Sequence, residues 1–498
     1  MKVKKSSVCH TCRVHKIGCD GRQPACSQCT HIGRSCGGYQ LDIVVAPYIP
    51  KVGAKKAASL KAPSSTRRTS SILETSLTVQ EKPQIPEYQI PSPIGSTTSE
   101  QFTAVILSQF VPENQLNLSC PGNSSNQVCG SWVGVLPGLV SLSRSEELIS
   151  LATRAFGAAI LDQGREGKHK SYRSREAYTA TLRHLKSAFA SYRDTFRLEL
   201  GAVIACLAMV ELMLPTSDEA FQAHFRGLGA LINLYCPELF SSNQFHAIFV
   251  GCRPVLFFEA LNSRKSTFLA EERWLQKPFQ HHAPSDMQAL ITHVAILPAI
   301  LERTDLSRTL PDDAATSGTS RLALALRKVL KSLGQWEERL RNNIAWHTDG
   351  SCCHPVSGEH AWFPNLMNAT VCIHVWAFKI ICFTELETLN AFRLKVDGKQ
   401  KYGMSGANKK NQESAMNLAN KICQSMGYLL QDEMKLYGPL SAVFPLKTAY
   451  AVLSKAGEGN EDNIMRCRIA FDQIHHKGFP SAPHLAQGFQ SGNPDGTN

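Results

Sequence analysis

The stretch Cys9-His10-Thr11-Cys12-Arg13-Val14-His15-Lys16-Ile17-Gly18-Cys19 is followed, after six residues, by Cys26-Ser27-Gln28-Cys29-Thr30-His31-Ile32-Gly33-Arg34-Ser35-Cys36. Both halves carry one spacing, C-x2-C-x6-C, and each cysteine of the second half lies 17 residues after its counterpart. A duplicated triad of soft thiolates marks a compact metal site, and such ligands in a reducing compartment select zinc or iron. The 28 residues from Cys9 to Cys36 hold few large apolar side chains, Val14, Ile17 and Ile32. These cannot bury enough surface to offset chain entropy. Metal must hold the segment together.

Four thiolates close one tetrahedral zinc site, and a second zinc in a six-cysteine set requires two sulfurs that bridge both metals. The twofold pattern suits that shared arrangement. A single-zinc ribbon with two spare cysteines, a redox C-x-x-C pair or chance cysteine richness each account for fewer than six positions.

Charge points to the partner. Through residue 70, thirteen Lys or Arg stand against Asp20 and Asp42, whereas the other 428 residues balance to within one charge. A basic excess confined to the cysteine segment and its flank is the footprint of an arm that binds a polyanion, most often nucleic acid. Within the segment, the loop between Cys12 and Cys19 carries Arg13, His15 and Lys16, and the loop after Cys29 is less basic. The first is therefore assigned to the major groove.

Cys9-His-Thr-Cys12-Arg13, Lys16, Cys19-Asp20-Gly21-Arg22, Pro24-Ala-Cys26-Ser-Gln-Cys29, Gly33-Arg34 and Cys36 together resemble the fungal binuclear zinc-cluster (Zn(2)-C6 type) transcription factors. That resemblance implies two zinc ions per chain, with Cys9 and Cys26 bridging and Cys12, Cys19, Cys29 and Cys36 each on one metal. It also implies two short helices, starting near Cys12 and Cys29 and joined by the loop carrying Pro24. By the same resemblance Lys16 reaches guanine edges of a CGG-type triplet, while Arg13, His15, Arg22 and Arg34 stand among the DNA-contacting positions. Guanine offers two major-groove acceptors and phosphates accept from any nearby donor. His15 stands where Arg or Lys is common in the family, and Gly18 where Lys is common. A nuclear, sequence-specific regulator of RNA polymerase II genes is the function implied, with double-stranded DNA and transcription co-regulators as partners. The sequence keeps two other classes in view: a zinc-thiolate redox or metal-sensing regulator, and a helical enzyme with an added zinc module. No G-x-S-x-G, P-loop, H-E-x-x-H or Rossmann fingerprint supports the enzyme, so no catalytic residue is assigned.

Composition divides the chain into a zinc-cluster DNA-binding domain (1–45), a basic Pro/Ser-rich linker expected to be disordered (46–97), an all-α regulatory domain (98–480) and a flexible tail (481–498). Ile43-Val44-Val45 runs into Pro47 and Pro50 with no heptad run, so no adjacent zipper is expected, and monomer and homodimer both stay open. Lys2-Val-Lys4-Lys5 suits nuclear import or a DNA backbone equally.

Beyond residue 98 the pattern is helical. Ser143-x-x-Glu146 has capping-box spacing before Leu148, Leu151, Ala152, Ala155 and Ala159. Tyr178, Leu182, Leu185, Phe189, Tyr192 and Phe196 form one stripe. Leu198–Leu214, apolar nearly all round and ended by Pro215, predicts a buried helix. Thr216-x-x-Glu219 predicts a cap for the next, with Phe221, Phe225, Leu228 and Ile232. Further helices fit 254–270, 286–303, 321–345, 366–390, 411–430, 440–454 and 461–476. Strand signals are sparse. The expected fold is thus a small zinc-stabilised module plus a large all-α helical array. Leu322, Leu326, Val329, Leu333, Trp336 and Leu340 read as core rather than coiled coil.

Trp132-Val-Gly-Val-Leu136-Pro137, the Tyr178–Phe189 helix and Phe221-x-x-His224-x-x-Gly227 resemble the regulatory middle region of the same family; His224 itself reads as a satisfied core histidine. Cys352-Cys353-His354, His281-His282 and His475-His476 lack a ligand spacing and read as loop residues. The apolar runs Ala202–Val210 and His374–Phe383 look too short for a membrane span, and no membrane partner is expected.

Overall fold

In the computed structural model the described residues are 11–12, 15, 17–20, 22, 25–34 and 36, and then 98–482 apart from 116–126, 143–146, 164–171, 192–196, 308–311, 344–360, 362, 397–405 and 456–458. The chain divides into two compact units, Met1–Ile90 and Pro91–Asn498. The expected linker 46–97 lies outside the described residues, as do the Cys352–His354 cluster, Tyr192, Phe196 and the Ser143/Glu146 pair. No strand occurs among the described residues.

The cysteine segment contains α1 (Ser27–His31). The second unit opens with α2 (Ser99–Phe110), fixed by a capping box in which Thr98 and Gln101 bond each other's backbone N–H. A 3-10 segment, Cys129–Val135, leads into α3 (Leu136–Ser141). Next come α4 (Leu148–Leu161), α5 (Tyr172–Ser191), α6 (Leu198–Met213), α7 (Ala220–Asn233) and α8 (Asn243–Ser263). Short α9 (Glu272–Gln276) precedes α10 (Asp286–Val294) and α11 (Leu297–Ser307). The long helices follow: α12 (Asp312–Asn343), α13 (Leu366–Val396), α14 (Gly406–Leu429), α15 (Tyr437–Lys455) and α16 (Glu461–His476).

Helix α4 packs on α2, α5 and α6, and α13 packs on α12, α14 and α15. Helix α8 touches the Cys129–Val135 segment, α6, α7, α10 and α11, and one continuous apolar core runs from Ile106 to Ala482. From Leu200 to Met213 every residue of α6 is buried, as the all-round apolar pattern requires. Leu326 and Leu333 of α12 are fully buried in the same core. Ser481 and Ala482, read as the start of the tail, pack on it: the Ser481 hydroxyl donates to the Leu212 carbonyl at 2.8 Å and Ala482 is buried.

Several boundaries depart from expectation for local chemical reasons. Helix α4 starts at Leu148 with Glu147 at its N-cap, a turn later than a Ser143 cap would set. Thr216 does not cap α7, whose N-cap is Glu219; its backbone N–H and hydroxyl both donate to the Glu211 carboxylate at 2.8 Å. That carboxylate also accepts from the Tyr178 hydroxyl, which lies 2.9 Å from His224 Nε2, so His224 is partnered as a core histidine should be. The single span 286–303 is two helices, α10 and α11. The exposed Phe189 ends the buried stripe of α5.

Leu366–Leu394 of α13 is long and apolar enough to cross a membrane by length and composition, with a mean hydropathy of 1.6 over an 18-residue segment within it, which corrects the expectation drawn from the shorter run His374–Phe383. That 18-residue segment is 78% buried within the helical unit. Its lysine, Lys379, is paired with Glu337 of α12, which also accepts from Trp376 Nε1 at 3.1 Å.

His374 of α13 is fully buried, and desolvation pushes its imidazole down to about 4 although Nδ1–H donates to the Thr370 carbonyl. Phe258, Phe378 and Phe444 surround the ring. The unfolded chain takes up this proton below its ordinary value of 6.5, whereas the folded chain resists until about 4. Stability therefore falls as pH drops through that window and is unaffected by this group above it. Urea unfolding is expected to show a loss of roughly 2 kcal/mol from this residue between about pH 7 and pH 5. The loss should be smaller in His374→Leu.

Candidate metal centre and nucleic-acid interface

Cys12, Cys26 and Cys29 are buried, with Ile17, Cys19 and Cys36 packed half-buried against them. The Cys12 Sγ lies 3.6 Å from Cys26 Sγ and 3.9 Å from Cys29 Sγ. Tetrahedral coordination at a Zn–S distance of ~2.3 Å places ligand sulfurs ~3.8 Å apart, so this spacing fits zinc thiolate and is far too long for a disulfide. A second set of donors, from Cys19, Asp20 and Cys26, also lies within 4.8 Å of one another. Cys26 belongs to both sets.

Helix α1 starts at Ser27, two residues earlier than the expected start near Cys29, because Cys26 acts as its N-cap: Sγ accepts from the Cys29 N–H at 3.3 Å. This capping bond ties the Cys26 sulfur to the backbone of Cys29, another cysteine of the same set. The other end closes through Gly33 at φ +69°, a left-handed position suited to glycine. There Gly33 N–H donates to the Thr30 carbonyl at 3.2 Å and Arg34 N–H to the Cys29 carbonyl at 2.9 Å. Seventeen residues earlier the Ile17 N–H donates to the Cys12 carbonyl at 3.0 Å. The sequence repeat is therefore also a backbone repeat, and Thr11 and Cys12 are helical as expected.

Asp20 was not among the residues assigned from sequence. Its carboxylate accepts from the Ser27 N–H at 3.0 Å and faces Arg22 Nε at 3.6 Å, so it braces the start of α1 to the loop before it. Hydrogen bonding by Ser27, its hydroxyl foremost, holds the Asp20 carboxyl below its ordinary value. The dipeptide Cys19-Asp20 was visible in the sequence, but its long-range bond was not. His15, Arg22 and Arg34 are exposed on this module. Cys9, Arg13, Lys16 and Pro24 lie outside the described residues.

Residues 7–42 match the profile of the fungal Zn(2)-Cys(6) binuclear cluster domain. The chain carries a fungal zinc-cluster module. Such a module binds two zinc ions and marks a zinc-cluster DNA-binding transcription regulator. Members of this family are transcription factors rather than enzymes and are typically nuclear. The match ends at residue 42, so the resemblance seen in the helical region has no counterpart in it. No curated protein and no solved structure matches the chain.

Proposed function

We propose that the zinc-cluster module of this regulator reads a CGG-like triplet from the major groove and controls RNA polymerase II genes. The observation that carries the reading is the membership of Cys26 in two donor sets, which is what a sulfur shared between two metals requires. Cys9 would be the second bridge, with Cys12, Cys19, Cys29 and Cys36 each serving one metal. When bound, the two zinc ions cross-link six thiolates and so supply the stability that this core-poor segment lacks. The protein's own part is to present Lys16 to base edges while Arg13, His15, Arg22 and Arg34 hold phosphates. Residues 1–45 would bind DNA, 46–97 link and 98–480 regulate, with Ser481 and Ala482 packed on the same core and the rest of 481–498 forming the tail.

Selection of binding sites from randomised duplexes by the zinc-loaded full-length chain tests this directly. Enrichment of a CGG-like triplet, abolished in a Cys9→Ala, Cys26→Ala variant, is expected; equal enrichment by both proteins would remove the cluster from recognition. A second half-site at fixed spacing would indicate a dimer. Lys16→Ala is expected to cost about 1–3 kcal/mol of discrimination between cognate and scrambled duplexes. Equal losses on both would reassign Lys16 to the phosphate backbone.

A further inference from the structure

The buried side chains of α16, Cys467, Ala470, Phe471 and Ile474, follow one another at helical intervals and form one narrow stripe. Outside it Met465 and Ile469 are exposed, so this helix is held along a single face. It packs on α14 and α15. On α14 the residue that meets the start of the stripe is Cys423, whose Sγ lies 3.1 Å from Cys467 Sγ. The two cysteines are 44 residues apart, and the whole of α15 lies between them in the chain.

That separation decides the chemistry. It is shorter than the 3.6 and 3.9 Å between the cluster sulfurs and than the ~3.8 Å that tetrahedral zinc imposes on its ligands. Among the described residues no third cysteine, histidine or carboxylate joins the pair within ligand distance, so the two lack the donor set of a metal site. Both are free thiols, and a disulfide would bring the sulfurs to ~2.05 Å, about 1 Å nearer than they stand. Cys423 keeps 8% of its surface exposed and Cys467 none, so a small oxidant meets Cys423 first. The hydrogen bond to Cys423, and then burial, raise the Cys467 thiol above its ordinary value, which keeps its proton in place until Cys423 has reacted. In a reducing compartment such a pair rests as two thiols and links only transiently, as redox-sensing pairs do.

We propose that Cys423 and Cys467 are a reversible redox site, which hydrogen peroxide converts to a disulfide that pins α16 to α14. The Cys423 sulfur attacks one peroxide oxygen and the O–O bond breaks; the product is the Cys423 sulfenic acid, and hydroxide leaves as water with the Cys423 proton. The Cys467 sulfur then attacks the Cys423 sulfur. The S–S bond forms, the S–O bond breaks, and a second water leaves with the Cys467 proton. The two sulfurs are oxidised and the peroxide is reduced to water, and a dithiol reductant reverses the change by exchange. Closing a loop of this length restricts chiefly the opened forms of the chain, so the singly faced α16 should open less often. The site lies within the helical unit and does not depend on the zinc-cluster reading.

The full-length zinc-loaded chain would be treated with hydrogen peroxide, quenched with catalase, unfolded, alkylated and digested without reduction. Mass spectrometry is expected to find the Cys423 and Cys467 peptides linked, two hydrogens lighter than the separate thiol peptides and separated again by dithiothreitol. Cys206 and Cys382, fully buried in α6 and α13, should be alkylated as free thiols in the same digest. Amide exchange along α16 should slow roughly tenfold in the oxidised chain. In Cys467→Ala, dimedone should trap Cys423 as the sulfenic acid. Recovery of both residues as thiols under peroxide that has already released the cluster's zinc would overturn the proposal. So would a disulfide from either to another cysteine, an over-oxidised Cys423 beside an unchanged Cys467, unaltered exchange along α16, or a folded Cys467→Ala that dimedone leaves unlabelled. The peptide and exchange measurements use the unaltered chain, so they decide the matter even if Cys467→Ala fails to fold.

Discussion

Cys26→Ala is expected to strip both metals from the module, whereas Cys36→Ala should leave close to one zinc per chain. The difference follows from position. Cys26 Sγ is the donor common to the Cys12/Cys26/Cys29 and Cys19/Asp20/Cys26 groups, and it also caps α1. Its loss would remove one ligand from each metal, together with the hydrogen bond that starts the helix. Cys36 is half-buried at the edge of the cluster and would serve a single ion. Because a structural zinc site supplies the folding free energy of so small a segment, DNA affinity of Cys26→Ala should fall to the non-specific level, roughly a thousandfold or more. Zinc content after gel filtration, alongside titration of a selected duplex, measures both effects. Far-UV circular dichroism should barely change, since the helical unit has its own continuous core. Retention of one tightly held zinc by Cys26→Ala would show that Cys26 is not shared.

The metal centre was legible in the sequence because its determinants are local: six cysteines at two repeated spacings leave few ways to place a metal. Helix α6 was legible because every face is apolar, and α16 because Glu461–His476 lies between unambiguous breaks. What sequence could not supply were bonds between distant residues. Thr216 and Glu219 have the spacing of a cap, but the buried Glu211 carboxylate captures Thr216 first. Nothing in the order of residues announces that competition. Asp20 was passed over for the same reason, since its partner Ser27 is across the loop. The meeting of Cys423 with Cys467 was equally invisible, because the two lie 44 residues apart in the chain.

Pro254 gives the sharpest case. A proline normally opens a helix or ends one, and the helix expected over 254–270 begins at it. In the structure α8 begins at Asn243 and continues through Pro254. The ring removes the N–H that would have bonded the Val250 carbonyl, and a buried unmet carbonyl is costly. Gln288 of α10 repairs the break: its Nε2 donates to the Val250 carbonyl at 2.7 Å and to Cys129 Sγ at 3.4 Å. The same side chain's Oε1 accepts from Arg253 Nη1 at 3.0 Å, and its main-chain carbonyl accepts from that atom at 2.9 Å. Arg253 is completely buried, and Thr292 Oγ1 takes its Nη2 at 3.0 Å.

Gln288→Leu keeps the volume and deletes these side-chain bonds, leaving the Val250 carbonyl unmet and part of a buried guanidinium less well solvated. A loss of about 3 kcal/mol or more is expected, each buried group left unmet costing ~1–3 kcal/mol. The double variant is the stricter test. Pro254→Ala restores a backbone N–H at the position that faces Val250, so in the Gln288→Leu background it should recover about 1 kcal/mol or more. In the unaltered background that N–H would compete with Gln288 for one carbonyl, and the gain should be smaller. Urea unfolding of the four proteins in this cycle measures the coupling. A Pro254→Ala effect of equal size in both backgrounds would mean that Gln288 does not replace the bond the proline removes, and that α8 tolerates Pro254 for another reason.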